Sequence, residues 1–148
     1  MSMADDDRVS SAEPDLGALL GRLIPHLISL EEPILRAAGL SMWEYAIVGE
    51  IAATPAVSQR ALSERTGRDP TRLGKHLDEL QRRGIVSRER SGSHRQWTVS
   101  ITSEGHALHE RVQAEIRAVE DELLHGAMSD SQATTFRRLL RVLVASVS

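Results

Sequence analysis

Residues 58–86, SQRALSERTGRDPTRLGKHLDELQRRGIV, divide into two short helical runs around Gly67-Arg68-Asp69. Ser58 is placed to N-cap the first run, Ala61 and Leu62 turn inward, and Gly67 supplies the left-handed stop. Asp69-Pro70 then sets an N-cap before a proline at the first helical position, where the missing N–H would have had no helical partner. The second run reaches Arg83 and closes at Gly84. Its Leu73, Leu77 and Leu80 share one face. At 100° per residue the opposite side carries Thr71, Lys75 and Asp78, flanked by Arg72 and Glu79. Two short helices joined this tightly form a helix-turn-helix, the first bracing while the second projects. The spacing predicts Thr71, Arg72 and Lys75 outward on the first turns of the projecting helix.

Immediately downstream, Val86–Arg90 and Gln96–Ile101 read as two strands around a Ser-Gly-Ser-His turn. The hairpin tip carries His94 and Arg95, while Arg88 and Arg90 alternate along the first strand. Upstream, Asp15 opens a helix whose Leu16, Leu19, Leu20, Leu23 and Leu27 lie at helical spacing, and Gly39 ends it. Pro25 and Pro33 fall inside, so a bend or a break is expected. Ser41-Met-Trp-Glu44 is a capping box for a second helix that Thr54-Pro55 stops. Thr102 caps a fifth helix with a stripe of Leu108, Val112, Ile116, Val119 and Leu123. Ser129-Asp-Ser-Gln132, another capping box, opens a sixth with Ala133, Phe136, Leu140, Leu143 and Val147 near heptad spacing.

Charge is distributed to match. The chain has 148 residues and a net charge of −3, yet residues 58–95 hold ten basic residues against five acidic ones. A basic island in an acidic chain is the footprint expected where phosphates dock. Arg72 has the reach for a bidentate pair with guanine, and Lys75 for a base edge or a phosphate. Arg95, with His94 beside it, suits a narrow minor groove. Arg68 in the turn, Arg88 on the hairpin, and Ser58, Gln59 and Arg60 at a helix N-terminus are further candidates for DNA contact.

Other functions find less support. The absence of cysteine excludes disulfides, thiol nucleophiles and sulfur-ligated zinc. No phosphate loop, nucleophile elbow or zinc-protease motif appears, so no catalytic residue is assigned and an enzyme is not expected. His106, His109 and Glu110 have a spacing that metal sites use, with His26 a conceivable further ligand. Their place on an expected exposed helix face favours plain solvation, so no metal is assigned. Residues 1–13 are acidic and poor in apolar groups, and read as a disordered tail without the features of a secretory signal. No window holds eighteen uninterrupted apolar residues, so no membrane partner is expected and a cytoplasmic address is the default.

Four segments in order, Leu40–Val48, Leu62–Gly67, Leu77–Val86 and Val99–Gly105, resemble the MarR family of bacterial regulators over about residues 15–147. The resemblance implies a mainly α fold with a small β-hairpin, in one domain spanning residues 14–148. A winged helix-turn-helix lobe falls at about 40–101, and dimerisation helices at about 15–38 and 102–147. It implies a homodimer on a pseudo-palindromic operator of double-stranded DNA. Leu16, Leu20, Leu23, Phe136, Leu140, Leu143 and Val147 would lie between protomers. A small aromatic or phenolic anion is the implied effector, with no other cofactor. Arg22, His26, Met42, Trp43 and Tyr45 are placed to line its pocket. A DNA-binding module that is constitutive, or controlled by another protein, is the alternative. One position departs from the family: the wing commonly carries aspartate two residues before its arginine, and here that residue is Ser93.

Overall fold

A computed structural model describes residues 13–91 and 96–148. The expected tail at 1–13 therefore lies, but for Glu13, outside the described residues. Six helices and a small sheet follow in the order α1 (Leu16–Ala37), α2 (Met42–Ala52), β1 (Val57–Ser58), α3 (Gln59–Thr66), α4 (Pro70–Arg82), β2 (Val86–Ser91), β3 (Gln96–Ile101), α5 (Ser103–His125) and α6 (Asp130–Val147). The fold is mainly helical, with a winged helix-turn-helix formed by α3, α4 and the β2–β3 hairpin.

Local chemistry accounts for most boundaries. Asp15 accepts from the Ala18 amide at 2.8 Å, Ser58 from Ala61 at 3.0 Å, and Asp69 from Arg72 at 3.0 Å. Both capping boxes close, Ser41 with Glu44 and Ser129 with Gln132. At the turns, Gly39, Gly67 and Gly84 take φ of 70°, 66° and 74°, values that only glycine adopts without strain.

Two expectations need revision. Of the bend or break expected at Pro25 and Pro33, the break does not occur, and α1 is one helix through both. Each proline removes one hydrogen bond, but the fixed φ is helical and the surrounding turns carry the element across. The wing is also more than a hairpin. Val57 pairs with Val99 and Ser58 with Thr98, adding β1 to give a three-stranded antiparallel sheet in the order β1-β3-β2. A two-residue strand is too short for alternation to reveal it.

The core lies where the wing, α4, α2 and α5 meet. Leu73, Leu77 and Leu80 are fully buried on one side of α4 and join Ile47, Val48, Ile51, Leu62, Val86, Val99 and Val112. Burying each such side chain stabilises the fold by about 1.5–3 kcal/mol. This anchors α4 by its inner face and leaves its outer face in solvent. Apolar groups also remain outside: Leu16, Leu19 and Ile24 on α1, and Leu139, Leu140, Val142, Leu143, Val144 and Val147 on α6, are exposed. Leu20, Leu23 and Phe136 are half-buried.

Candidate nucleic-acid interface

The outer face of α4 is built from its N-cap upward. Pro70 fixes the first turn, Asp69 holds the Arg72 amide, and Thr71, Arg72 and Lys75 all stand exposed opposite the three leucines. Arg72 rests near the Asp69 carboxylate at 3.4 Å, a solvated pair whose side chains are free to exchange partners. Lys75 makes no ion pair, hydrogen bond or cation–π contact among the described residues. Farther along, Arg82 pairs with Glu79 at 2.5 Å, which neutralises that end of the helix.

Other basic residues have intramolecular work. Arg68 lies over the Trp43 ring at 4.1 Å and meets His76 Nε2 at 3.3 Å, so it braces the turn of the motif against α2. Arg88 is tied to α4 through Asp78 and through Gln81 Oε1 at 2.8 Å, with its guanidinium 5.5 Å from the Trp97 ring centroid. Only 14% of the Arg88 side chain is exposed, which directs it away from an outer phosphate and makes it a link between recognition helix and wing. Arg90 stands 5.0 Å over the same ring. Ser58 spends its hydroxyl on the Ala61 amide, while Gln59 is half-buried with its Oε1 enclosed. Arg60 is open to solvent beside Glu64 at 3.6 Å. His94, Arg95 and Ser93 lie outside the described residues.

The proposed effector residues do not converge. A cleft of about 400 Å³ between α1 and the start of α2 is lined by Ile28, Glu32, Leu35, Arg36, Leu40 and Met42, together with Gly39 and Ser41. Met42 is the one member of the expected set to line it. Trp43 carries Arg68 instead, and Arg22 and His26 are exposed elsewhere on α1. Tyr45 turns to α5, where its ring stacks on His109 with centroids 5.5 Å apart. His109 corrects the reading of that helix face as exposed, because it is buried. Burial, and then the neighbouring His106, lower its pKa and so disfavour the charged ring. His106 itself pairs with Glu110 at 3.7 Å on the surface. Among the described residues, no group of three or more potential metal ligands gathers.

Sequence reasoning missed an acidic pair nearby. Glu31 of α1 faces Glu120 of α5, with Tyr45 of α2, Arg117 of α5 and Arg137 of α6 around them. Burial first, then the hydrogen bond and charge of Glu120, push the Glu31 pKa from 4.5 up to about 7. Arg137 donates to Glu120 at 3.1 Å and to Asp121 at 2.8 Å. The folded state thus binds more protons than the unfolded chain from about pH 4.5 to 7. Stability from this group is full on the acid side and falls as pH rises through that window. The thermal midpoint of the protein therefore declines toward pH 8 more steeply than that of Glu31→Gln. Parallel slopes in circular dichroism melts would remove Glu31 as the cause.

Comparison with known proteins agrees with this architecture. Residues 38–96 match the family model described as MarR family. Over 144 residues the chain is 28% identical to the HTH-type transcriptional repressor Rv2887 of Mycobacterium tuberculosis, covering 97% of this chain and 98% of the relative. The solved complex of M. tuberculosis MarR family protein Rv2887 with p-aminosalicylic acid superposes with a TM-score of 0.72 at 26% identity, over 88% of this chain and 98% of that one. A MarR family transcriptional regulator from Rhodococcus sp. RHA1 shares the fold with a TM-score of 0.75 at 24% identity, over 96% of both chains.

Proposed function

We propose, from the match of residues 38–96 to the MarR family model, that the chain is a transcriptional repressor that grips a pseudo-palindromic operator as a homodimer and releases it when a small aromatic anion binds. The observation that carries the DNA-binding part is the outward presentation of Thr71, Arg72 and Lys75 on the capped first turns of α4. Arg72 and Lys75 read base edges in the major groove, where a bidentate pair contributes about 1–3 kcal/mol of discrimination. The wing is tied to α4 through Arg88 and Asp78; the sequence-based expectation that Arg95 serves the adjacent minor groove concerns a residue outside those described.

Two copies meet through the exposed apolar faces of α1 and α6, with α5 beside them. Support for an effector comes from the aromatic acid bound to the M. tuberculosis relative. In this chain the α1–α2 cleft offers Ile28, Leu35, Leu40 and Met42 to an aromatic ring and Arg36 to a carboxylate. Arg36 is held by Glu32 at 2.6 Å, so an entering anion competes with that carboxylate.

A gel shift on the DNA upstream of its own coding region tests the reading. The double variant Arg72→Ala, Lys75→Ala keeps its fold, since both side chains are exposed, and loses affinity by about a hundredfold or more. Its dependence on salt becomes shallower as phosphate contacts are lost. Undiminished binding would exclude α4 as the reading element. Salicylate-type anions weaken the wild-type complex, and insensitivity across a broad panel would leave a constitutive DNA-binding module.

A further inference from the structure

The exit of the recognition helix carries a guanidinium that turns away from the reading face. Arg83, the C-cap of α4, donates through Nη1 to the Gly39 carbonyl at 2.6 Å and through Nη2 to that of Ala38 at 3.4 Å. It also lies 3.8 Å from the Glu44 carboxylate. Ala38 caps the end of α1, and Glu44 closes the capping box of α2. Three acceptors from the α1–α2 junction therefore converge on one side chain from α4.

The site is shaped for this contact. Carbonyls at the end of α1 lack helical partners and sit at the negative end of its dipole, where a cation is favoured. A Cβ on Gly39 would come within 3.0 Å of Arg83 Nη2, so the residue that turns the chain also makes room for the fork. Glu44 Oε2 is enclosed without a hydrogen-bond partner among the described residues, and Arg83 is the cation that balances it.

We propose that Arg83 is a positioning residue for operator binding, locking the recognition helix to α1 so that the two copies of α4 are held at the separation two half-sites require. The inference rests on the dimeric reading above. Leu73, Leu77 and Leu80 seat α4 by apolar contacts, which are not directional. A planar fork on two carbonyls fixes direction as well as distance. Leverage makes the difference matter. The clamp is at the C-terminal end and the base-reading turns lie about 12–18 Å away, so a tilt of about 5° shifts them by roughly 1–1.5 Å.

The test uses the full-length dimer and a duplex that it selects from a random pool, compared with the same duplex after one half-site is scrambled, and with half-site spacing changed by one base pair. Arg83→Gln loses about tenfold or more on the paired site but little on the single one. The wild-type penalty for altered spacing becomes shallow, and the salt dependence stays unchanged. Arg83→Lys restores part of the loss. Equal losses on both duplexes with a reduced salt slope would make Arg83 a phosphate contact and overturn the proposal, as would no loss at all. Should Arg83→Gln fail to fold, Glu44→Gln, which retains an acceptor for the Ser41 amide, must show the same relaxed spacing in weaker form or the proposal falls. A wild-type protein indifferent to the second half-site would overturn the dimeric reading, and the strut with it.

Discussion

Gly105→Ala destabilises the protein by about 3 kcal/mol, although glycine to alanine in a helix ordinarily stabilises by up to about 1 kcal/mol. Gly105 lies in the first turn of α5, buried against the segment that leaves the recognition helix. A methyl group there would overlap the Ile85 carbonyl oxygen, and it would sit 2.9 Å from the carbonyl carbon and 3.0 Å from Ile101 Cγ1. Two of these atoms are backbone, and that backbone cannot move independently. The Thr102 hydroxyl holds the adjacent Gly84 carbonyl at 2.6 Å, and the Thr102 amide donates to Ile85 O at 3.1 Å. Relief of the overlap therefore shifts α5 away from the α4–β2 junction and opens the core around Ile85, Val86 and Val112. Urea denaturation measures the loss, and operator affinity falls with it because α4 loses its seat. An unchanged or higher midpoint would mean that α5 can slide without disturbing the DNA-binding elements.

Gly105 also illustrates how much the sequence declares. It ends the Val99–Gly105 run that resembles the MarR family, but its reason is spatial: only a hydrogen fits beneath the Ile85 carbonyl. Features punctuated within three or four residues were legible. The Asp69-Pro70 start, the leucine face of α4, both capping boxes and the two long wing strands all follow from local rules. Thr71, Arg72 and Lys75 were legible for the same reason, because helical phase alone sets them opposite the core.

Residues whose partners lie far along the chain were not legible in this way. Arg68 and Arg88 each look like one more cation in a basic island until Trp43 and Asp78 are brought beside them. His109 read as solvated because its stripe was phased on the aliphatic residues, whereas Tyr45, sixty-four positions earlier, covers it. Glu31 and Glu120 are separated by most of the chain, and no local pattern signals that the two carboxyls will meet. The expected effector residues were least legible: a cleft between helices depends on side-chain directions, and of that set Met42 alone lines the α1–α2 cleft.

Leu140→Asp splits the proposed homodimer and lowers operator affinity by about a hundredfold or more, the factor that linking two binding events supplies. The case rests on where apolar surface remains. On α6, Leu139, Val142, Leu143, Val144 and Val147 are 53%, 60%, 48%, 59% and 80% exposed, and Leu140 is 39% exposed among them. Single exposed leucines are ordinary, but a run of them on one helix, with Leu16, Leu19 and Ile24 exposed on α1 as well, is apolar surface awaiting cover. Phe136 and Leu139 also line a groove of about 470 Å³ at the α5–α6 turn, able to receive side chains from a second copy. A carboxylate at Leu140 would be desolvated among these groups with no cation to meet it, a cost of several kcal/mol incurred twice across a two-fold interface. The DNA-binding elements should be spared, since the buried core around α4 includes no α6 residue. Sedimentation will then show a folded monomer that binds a single half-site as the dimer does but no longer gains from the second. This outcome separates the interface from the Arg83 clamp, because Arg83→Gln loses part of that gain while remaining dimeric. A Leu140→Asp protein that still sediments as a dimer would place the interface elsewhere and leave the apolar face of α6 without a role.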